Sequence, residues 1–267
     1  MSKIHALQRN VRVGFRPISL YFKSILIPFS LLGTLRVIMK EHPWPEFDLR
    51  ETPEIGERIR QFIGAQMMEL KTFDEQRPKG HTYIFHEHAE RVAENVKRTC
   101  LYMGLGELIA ENMYWAVLPH DIGKKSLPVA IWDQEEKPDA KLKHIRRTHT
   151  LLGAQIVAEH FFDLEHPFKD LMIDIMRYHH EQMDGNGTHG IKAEELSAPI
   201  RLVAIVEAYD GWRIWRPHYG DRDISPPGVL KRMREEKGAE IFDMELFEAF
   251  AEMKMKDYKE GRILQDN

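Results

Sequence analysis

Apolar residues recur at three- and four-residue spacing along most of the chain beyond residue 52, which is the period of one face of an α-helix. Thr52 followed by Pro53 predicts a helix start, with Thr52 at the N-cap and proline at the first helical position. The apolar positions of this first helix are Ile55, Ile59, Phe62, Ile63, Met67 and Leu70. Few stretches show the alternation of a half-buried strand. The pattern therefore predicts an all-α bundle.

The same spacing predicts further helices along the rest of the chain. They are expected at about Ile84–Tyr102, Glu107–His120, Asp139–Phe161, Pro167–His180, Pro199–Ile214, Gly228–Glu236 and Asp243–Lys256. Residues 1–50 are partly apolar and proline-rich near their end, so we expect a short N-terminal extension, irregular or helical, before a single domain at 51–260.

The one membrane-like feature is the apolar segment 17–39, PISLYFKSILIPFSLLGTLRVIM. Lys23, Pro28 and Arg36 interrupt it, and the longest uncharged run is Ser24–Leu35. That run is too short to cross a bilayer, which takes about 20 residues. The segment is therefore predicted to be buried or packed on a partner, with interfacial membrane contact as the alternative. We expect a cytoplasmic protein.

The net charge and the cysteine count exclude several classes of function. The chain has 267 residues and a net charge of −4, so it lacks the basic field that polymeric nucleic acid requires, although a small phosphate ligand needs only a few local cations. Cys100 is the only cysteine, which excludes an intrachain disulfide and a cysteine-based zinc site. Any metal must be held by imidazole and carboxylate, and histidine occurs 14 times.

The densest chemical signal is LPHDIGK, residues 118–124, at the end of an apolar helix. His120 offers a neutral nitrogen, and Asp121 offers an anionic oxygen that can bridge two cations. Lys124 places a positive charge about one turn beyond them.

Other metal-ligand residue types lie on separate predicted helices, as expected of a metal site inside a helical bundle. They are His88, His149, the doublet His179 and His180, and Glu207. Glu207 and Asp121 both sit beside apolar runs, where an unpaired carboxylate is costly and a cation would stabilise it. The remaining histidines considered are assigned to the surface or the core: His5, His42, His144, His160 and His166.

Taken together and in order, these motifs resemble the HD superfamily of metal-dependent phosphohydrolases. The markers are HAERV, HDIGK, His149 with Gly153 after it, HHEQMDGNG and VEAYDGWRIWRP. They are most similar to the HD-GYP branch, whose known members hydrolyse cyclic di-GMP. The resemblance covers about Ile84–Met253 and implies an HD-domain helical bundle.

The resemblance also implies a site with two divalent metal ions, Fe or Mn first and Ni or Co as alternatives, which activate a water for attack on phosphorus. By this likeness one metal is held by His88, His120, Asp121 and Glu207, and the other by Asp121, His149, His179 and His180. Lys124 and Arg216 match the positions that hold phosphate, and Asp121 and Lys124 are the expected catalytic residues.

Three positions depart from the family pattern. Thr188-His189-Gly190 stands in place of the GYP triplet, in a loop expected to shape the substrate pocket. Glu207 replaces an aspartate, and Asp210, one turn on, is either a substitute ligand or a second, structural aspartate. Members with three metals carry a glutamate where this chain has Ile84, which favours two metals here.

The leading prediction is a phosphodiesterase that hydrolyses a cyclic dinucleotide, cyclic di-GMP or a related molecule. Two alternatives stay open: a non-catalytic HD-domain signalling or binding protein, and a two-iron oxygenase of HD type. The expected partner is a small phosphodiester, with no polymeric nucleic acid, and a homodimer is left open.

Overall fold

Ten α-helices make up most of the residues that the computed structural model describes, which are 44–78, 83–134 and 136–262. Their bounds are α1 Pro53–Glu75, α2 Phe85–Tyr102, α3 Glu107–Val117, α4 Ala140–Arg147, α5 His149–His160, α6 Pro167–Tyr178, α7 Ala198–Arg213, α8 Pro226–Arg232, α9 Gly238–Ile241 and α10 Met244–Lys259. Short 3₁₀-helices cover Ile122–Ser126, Val129–Ile131, Ala193–Glu195 and Pro217–Tyr219, and a π-helical stretch covers Met233–Lys237. No strand occurs within the described ranges, which confirms the predicted all-α class.

Helix α1 begins where the sequence predicts, with Pro53 in its first turn. Thr52 is the N-cap residue, as predicted, although its hydroxyl makes no capping bond and is buried without a hydrogen-bond partner among the described residues. Proline has no N–H to satisfy at this position, which leaves the first turn less dependent on a side-chain cap.

The single helix predicted over Asp139–Phe161 is wrong, because the chain breaks at Thr148 into α4 and α5. The Thr148 hydroxyl donates to the Ile145 carbonyl at 2.7 Å, and His149 Nδ1 donates to the Arg146 carbonyl at 2.6 Å. Side chains that bond to nearby backbone groups compete with continued helix. As a result His149 is the first residue of α5 rather than a mid-helix residue.

Three other predicted helix ends need correction. Helix α3 stops at Val117, so that the HD pair lies in the turn after it, and α6 stops at Tyr178, so that the histidine doublet follows it. The helix expected over Gly228–Glu236 is instead α8 followed directly by the π-helical stretch. Helix ends commonly fray or finish in tighter turns, and the spacing of apolar residues does not show where this begins.

The core forms where α2 packs against α3 and α7, and α5 packs against α6. Its fully buried side chains include Val92, Val96, Cys100, Met113, Val157, Phe161, Met172, Ile175, Leu202, Val206, Phe247 and Phe250. Burial raises the pKa of the Cys100 thiol to about 12, so this cysteine is a core residue, as expected, rather than a reactive group.

The last residues of the predicted N-terminal extension pack on the helices. Trp44 is buried, and the Asn112 side chain donates to the carbonyls of Pro45 at 2.8 Å and Phe47 at 2.7 Å. The predicted apolar segment 17–39 lies outside the described residues. Among the helices that are described, none has the length and apolar character needed to cross a membrane.

Candidate metal centre

The structure brings all seven predicted ligands together at the centre of the bundle. His88 comes from α2 and Glu207 from α7, while the others stand at helix ends or in the turn after α3. The side chains of His88, His120 and Asp121 are fully buried. The candidate ligands thus come from five separate segments of the chain that meet in the interior.

One group of ligands faces the Oδ2 atom of Asp121. His88 Nε2 lies 3.6 Å from Oδ2 and His120 Nε2 lies 3.5 Å from it. Glu207 joins the same group, because its Oε2 atom lies 2.7 Å from His88 Nε2 and 3.2 Å from His120 Nε2. The longer glutamate side chain thus reaches the two histidines with which the resemblance groups it.

A second group faces the Oδ1 atom of the same carboxylate. His149 Nε2 lies 3.2 Å from Oδ1 and His179 Nε2 lies 3.8 Å from it. The ring of His180 stands beside both, with centroids 5.2 Å from His149 and 4.2 Å from His179. Donor atoms of His149, His179 and His180 come close enough together to hold one ion.

Backbone carbonyls set the tautomers of three of these histidines. The Nδ1 atoms of His120, His149 and His179 lie 2.9, 2.6 and 3.0 Å from carbonyl oxygens of Val117, Arg146 and Ile175. A carbonyl can only accept, so each Nδ1 carries the proton and each Nε2 presents a lone pair. All three lone pairs are turned toward Asp121.

This donor set fits a divalent metal. The Nε2 atoms of His149 and His179 are only 3.2 Å apart, although both present lone pairs. Asp121 Oδ1 is buried beside them and accepts no hydrogen bond. Facing electron pairs repel one another, and a cation between them removes that repulsion. Imidazole nitrogen with carboxylate oxygen suits borderline metals such as Fe, Mn, Co and Ni.

His88 is oriented differently, by a carboxylate. Its Nδ1 lies 2.5 Å from Asp210 Oδ2, and Asp210 is held in turn by Arg91 Nε at 2.9 Å. Burial disfavours a charge on His88, but Glu207 and Asp210 outweigh it and raise its pKa to about 9. Of the two roles considered for Asp210, the structure favours the structural one, because the residue lies on the far side of His88 from Asp121.

Two histidines of the second group, His179 and His180, are kept neutral by their surroundings. Burial, together with the nearby His120 and His149, lowers the pKa of His179 to about 3. Burial and the neighbouring His179 likewise hold the pKa of His180 well below its usual value. Neutral imidazole is the form that binds metal, so the surroundings keep both rings ready for ligation.

The two predicted phosphate-holding cations border the site. The ammonium of Lys124 is buried and pairs with Asp121 Oδ2. The guanidinium of Arg216 lies over the ring of Tyr83, 5.0 Å from its centroid. Both side chains line the same cavity as His149, His179, His180 and Glu207.

That cavity has a volume of about 780 Å³ and is lined by four of the candidate ligands, His149, His179, His180 and Glu207. Its wall carries cations from several segments, including Lys124, Arg146, Arg147 and Arg216. Three indole rings also line it, those of Trp132, Trp212 and Trp215. The volume and the mixture of flat apolar groups with a few charges are typical of a small-molecule site.

The loop that replaces the GYP triplet does not line this cavity, contrary to the expectation from sequence. The buried carboxylate of Glu181 accepts backbone N–H bonds from His189 at 2.6 Å and Ile191 at 2.9 Å. Thr188 accepts a bond from Arg147, whose side chain does line the cavity. The loop therefore contacts two residues of the cavity wall, Arg147 and Glu181, without lining the cavity itself.

Sequence reasoning missed several residues of the site. Tyr83 lines the cavity and contacts both Lys124 and Arg216, and Asp74 and Arg77 hold its segment in place. None of these three residues belongs to a motif. Arg77 also donates to Asp133, which is 56 residues away in sequence, so the apolar spacing gives no sign of this contact. The only available signal was a charged DEQR run, residues 74–77, at the end of an amphipathic helix.

Comparison with known proteins identifies the family profile described as "HD domain", which matches residues 80–246. A cyclic di-GMP phosphodiesterase of Thermotoga maritima is 27% identical over 169 residues, covering 63% of this chain and 44% of that protein. A cyclic di-GMP phosphodiesterase of Pseudomonas aeruginosa is 28% identical, covering 69% and 41%. A 3'3'-cGAMP-specific phosphodiesterase of Vibrio cholerae is 23% identical, covering 65% and 38%. The chain spans less than half the length of these relatives.

Among solved structures, Bd1817, a HDG"Y"P protein from Bdellovibrio bacteriovorus, superposes with a TM-score of 0.54 at 14% identity. The match covers 77% of this chain and 66% of that one. At this level of identity the likeness shows a shared fold.

Proposed function

This chain belongs to the HD-domain family, and we propose that it is a metal-dependent phosphodiesterase that hydrolyses a cyclic dinucleotide, cyclic di-GMP or a related molecule. The proposal rests on the position of the Asp121 carboxylate. Each of its two oxygens faces a separate set of histidine Nε2 atoms. A carboxylate in this position suits a bridge between two divalent cations. The first ion would be held by His88, His120, Asp121 and Glu207, and the second by Asp121, His149, His179 and His180.

Bound divalent cations would supply Lewis acidity toward phosphoryl oxygens and lower the pKa of water. The protein's part is to place the phosphodiester. Lys124 and Arg216 border the metal centre from the cavity side, where they would neutralise charge that develops on the non-bridging oxygens. Iron or manganese suits the ligand set best, with nickel and cobalt as alternatives.

The cavity wall supports a cyclic dinucleotide as the substrate class. Such a molecule carries two phosphates and two flat bases. The cations on the wall suit the phosphates, and the three indoles offer surfaces on which bases stack. The names of the relatives, two cyclic di-GMP enzymes and one 3'3'-cGAMP enzyme, point to the same class.

The direct test is an assay of the protein loaded with iron or manganese against cyclic di-GMP, 3'3'-cGAMP and an aryl phosphodiester. We expect turnover of at least one cyclic dinucleotide, and its loss when a chelator removes the metal. Elemental analysis should give two metal ions per chain. His149→Ala should abolish turnover and reduce the metal content, whereas His144→Ala, which alters an exposed histidine on α4, should change neither.

Tight binding of a cyclic dinucleotide without hydrolysis, with both metals present, would contradict the proposal and favour the non-catalytic alternative. Oxygen consumption by the iron-loaded protein, with the EPR signal of a mixed-valent pair, would favour the oxygenase.

A further inference from the structure

Tyr83 belongs to none of the sequence motifs, but its side chain lies beside the candidate metal centre. It lies in the short segment before α2 and lines the cavity. Its hydroxyl accepts a hydrogen bond from Lys124 Nζ at 3.2 Å, and its ring packs edge-on against His88, with centroids 5.0 Å apart. The guanidinium of Arg216 lies over the same ring at 5.0 Å. Tyr83 thus contacts a predicted metal ligand and both predicted phosphate-holding cations.

The backbone around Tyr83 is held by the end of α1. Arg77 donates to the Tyr83 carbonyl at 2.7 Å. Asp74 accepts backbone N–H bonds from Phe85 at 3.1 Å and His86 at 2.9 Å. Arg77 and Asp74 also form a buried ion pair with each other. A side chain whose neighbouring peptides are fixed in this way is preorganised, as binding groups must be.

The hydrogen-bonding capacity of the phenol decides what Tyr83 can do. A phenol hydroxyl donates one proton and accepts at its oxygen. The ammonium of Lys124 occupies the accepting side, since an ammonium can only donate. In the part of the chain that the structure describes, the Tyr83 hydroxyl donates to no protein acceptor, and Tyr83 lines the cavity together with His149, His179 and Glu207.

We propose that Tyr83 donates a hydrogen bond to a phosphoryl oxygen of the substrate, as a third phosphate-binding group beside Lys124 and Arg216. This inference rests on the proposed function, because it assumes a phosphoester in the cavity. The ring also lies within cation–π distance of both cations, with the Lys124 ammonium 4.9 Å and the Arg216 guanidinium 5.0 Å from its centroid.

The test is Tyr83→Phe, which keeps the ring and removes only the hydroxyl. The matched control is Tyr209→Phe, because Tyr209 is buried, its hydroxyl accepts from Arg213, and it does not line the cavity. Binding of inorganic phosphate to each manganese-loaded protein is measured by calorimetry. Where a cyclic dinucleotide is turned over, kcat and KM are measured separately, and thermal unfolding reports on folding.

We expect Tyr83→Phe to weaken phosphate binding and to lower kcat/KM by about 10- to 100-fold, the usual effect of losing one donor to a charged oxygen. Tyr209→Phe should leave phosphate binding within twofold of wild type. Equal phosphate binding by Tyr83→Phe and wild type would overturn the proposal. So would equal losses in both variants, or the absence of phosphate binding in the wild type.

These outcomes separate the two proposals. A wild type that binds phosphate through Tyr83 but hydrolyses no cyclic dinucleotide contradicts the proposed function and leaves the Tyr83 proposal standing. If the wild type hydrolyses a cyclic dinucleotide but Tyr83→Phe binds phosphate as tightly as the wild type, the proposed function stands and the Tyr83 proposal is contradicted.

Discussion

At the scale of single residues, four of the five histidines of the candidate metal centre are oriented by a hydrogen bond at Nδ1, and the partner is of two kinds. His120, His149 and His179 donate to carbonyls three or four residues earlier in their own segments. His88 depends instead on Asp210, which is 122 residues away in sequence. Local bonds form whenever the helix forms, whereas the Asp210 contact exists only once α2 and α7 have packed together. His88 is therefore the ligand whose geometry is most easily altered by one distant substitution.

Asp210→Asn tests this dependence. The amide can still accept from His88, but it loses the charge that strengthens the bond and the ion pair with Arg91. We expect the affinity for manganese to fall about 10- to 100-fold, as is usual for residues that orient a metal-binding histidine. The affinity is measured by competition with a chelating dye.

Asp257→Asn is the control, because Asp257 is also buried and paired with an arginine, Arg98, but lies on α10 away from the centre. The same manganese affinity in Asp210→Asn and Asp257→Asn would contradict a role for Asp210 in the site.

At the scale of elements, the close approach of the 3₁₀-helix Ile122–Ser126 to α5 brings the two halves of the centre together. Gly123 makes that approach possible. A Cβ atom at this position would lie 2.0 Å from the His149 carbonyl oxygen and 2.5 Å from the Gly153 nitrogen. The sequence HDIGK and the glycine four residues after His149 thus describe one contact, in which Gly123 lets the backbone of His149 and Gly153 come near, while a Cβ at Gly153 would lie 3.4 Å from the Gly123 nitrogen.

Gly123→Ala should therefore force the 3₁₀-helix away from α5. We expect the free energy of unfolding to fall by about 1–3 kcal/mol, as for other overpacked sites, together with a loss of bound metal. Gly64→Ala is the contrasting substitution, because nothing lies within 4 Å of a Cβ at that position in α1. It should stabilise the protein by about 0.4–1 kcal/mol. Urea denaturation measures both, and equal effects of the two substitutions would refute the packing argument.

Elements with a steady apolar period could be predicted from the sequence, as could helix starts marked by proline such as Pro53 and Pro167, whereas several helix ends could not. The period runs on across Thr148, so the break there is invisible in it, because the break comes from the Thr148 hydroxyl and the His149 ring bonding to the backbone. The histidines and carboxylates that the structure brings together could be singled out because they cluster in motifs. Tyr83 and Arg77 could not, since their roles depend on contacts that only the folded chain creates.

At the scale of the whole molecule, the seven candidate ligands tie together helices from α2 to α7. A ligand that binds only the folded state stabilises it by mass action, by about 2.7 kcal/mol at a concentration of 100 times the Kd. We expect chelation to lower Tm by roughly 5–10 °C for a chain of this size, with recovery when manganese is added back.

Thermal scans with and without chelator measure this shift. Asp121→Asn serves as the control, because it lacks the charge shared by both histidine groups and should show little response to chelator. A wild-type Tm that does not change on chelation would mean that metal is not part of the folded state's stability.

The bonds from Asp74 and Arg77 to the segment Tyr83–His86 make one wall of the cavity depend on the end of α1. Asp74 and Arg77 also form a buried ion pair with each other, so the loss of either side chain leaves the other without that partner. A substitution at Asp74 or Arg77, which belong to none of the motifs, would therefore displace Tyr83 from the cavity wall without altering any candidate metal ligand.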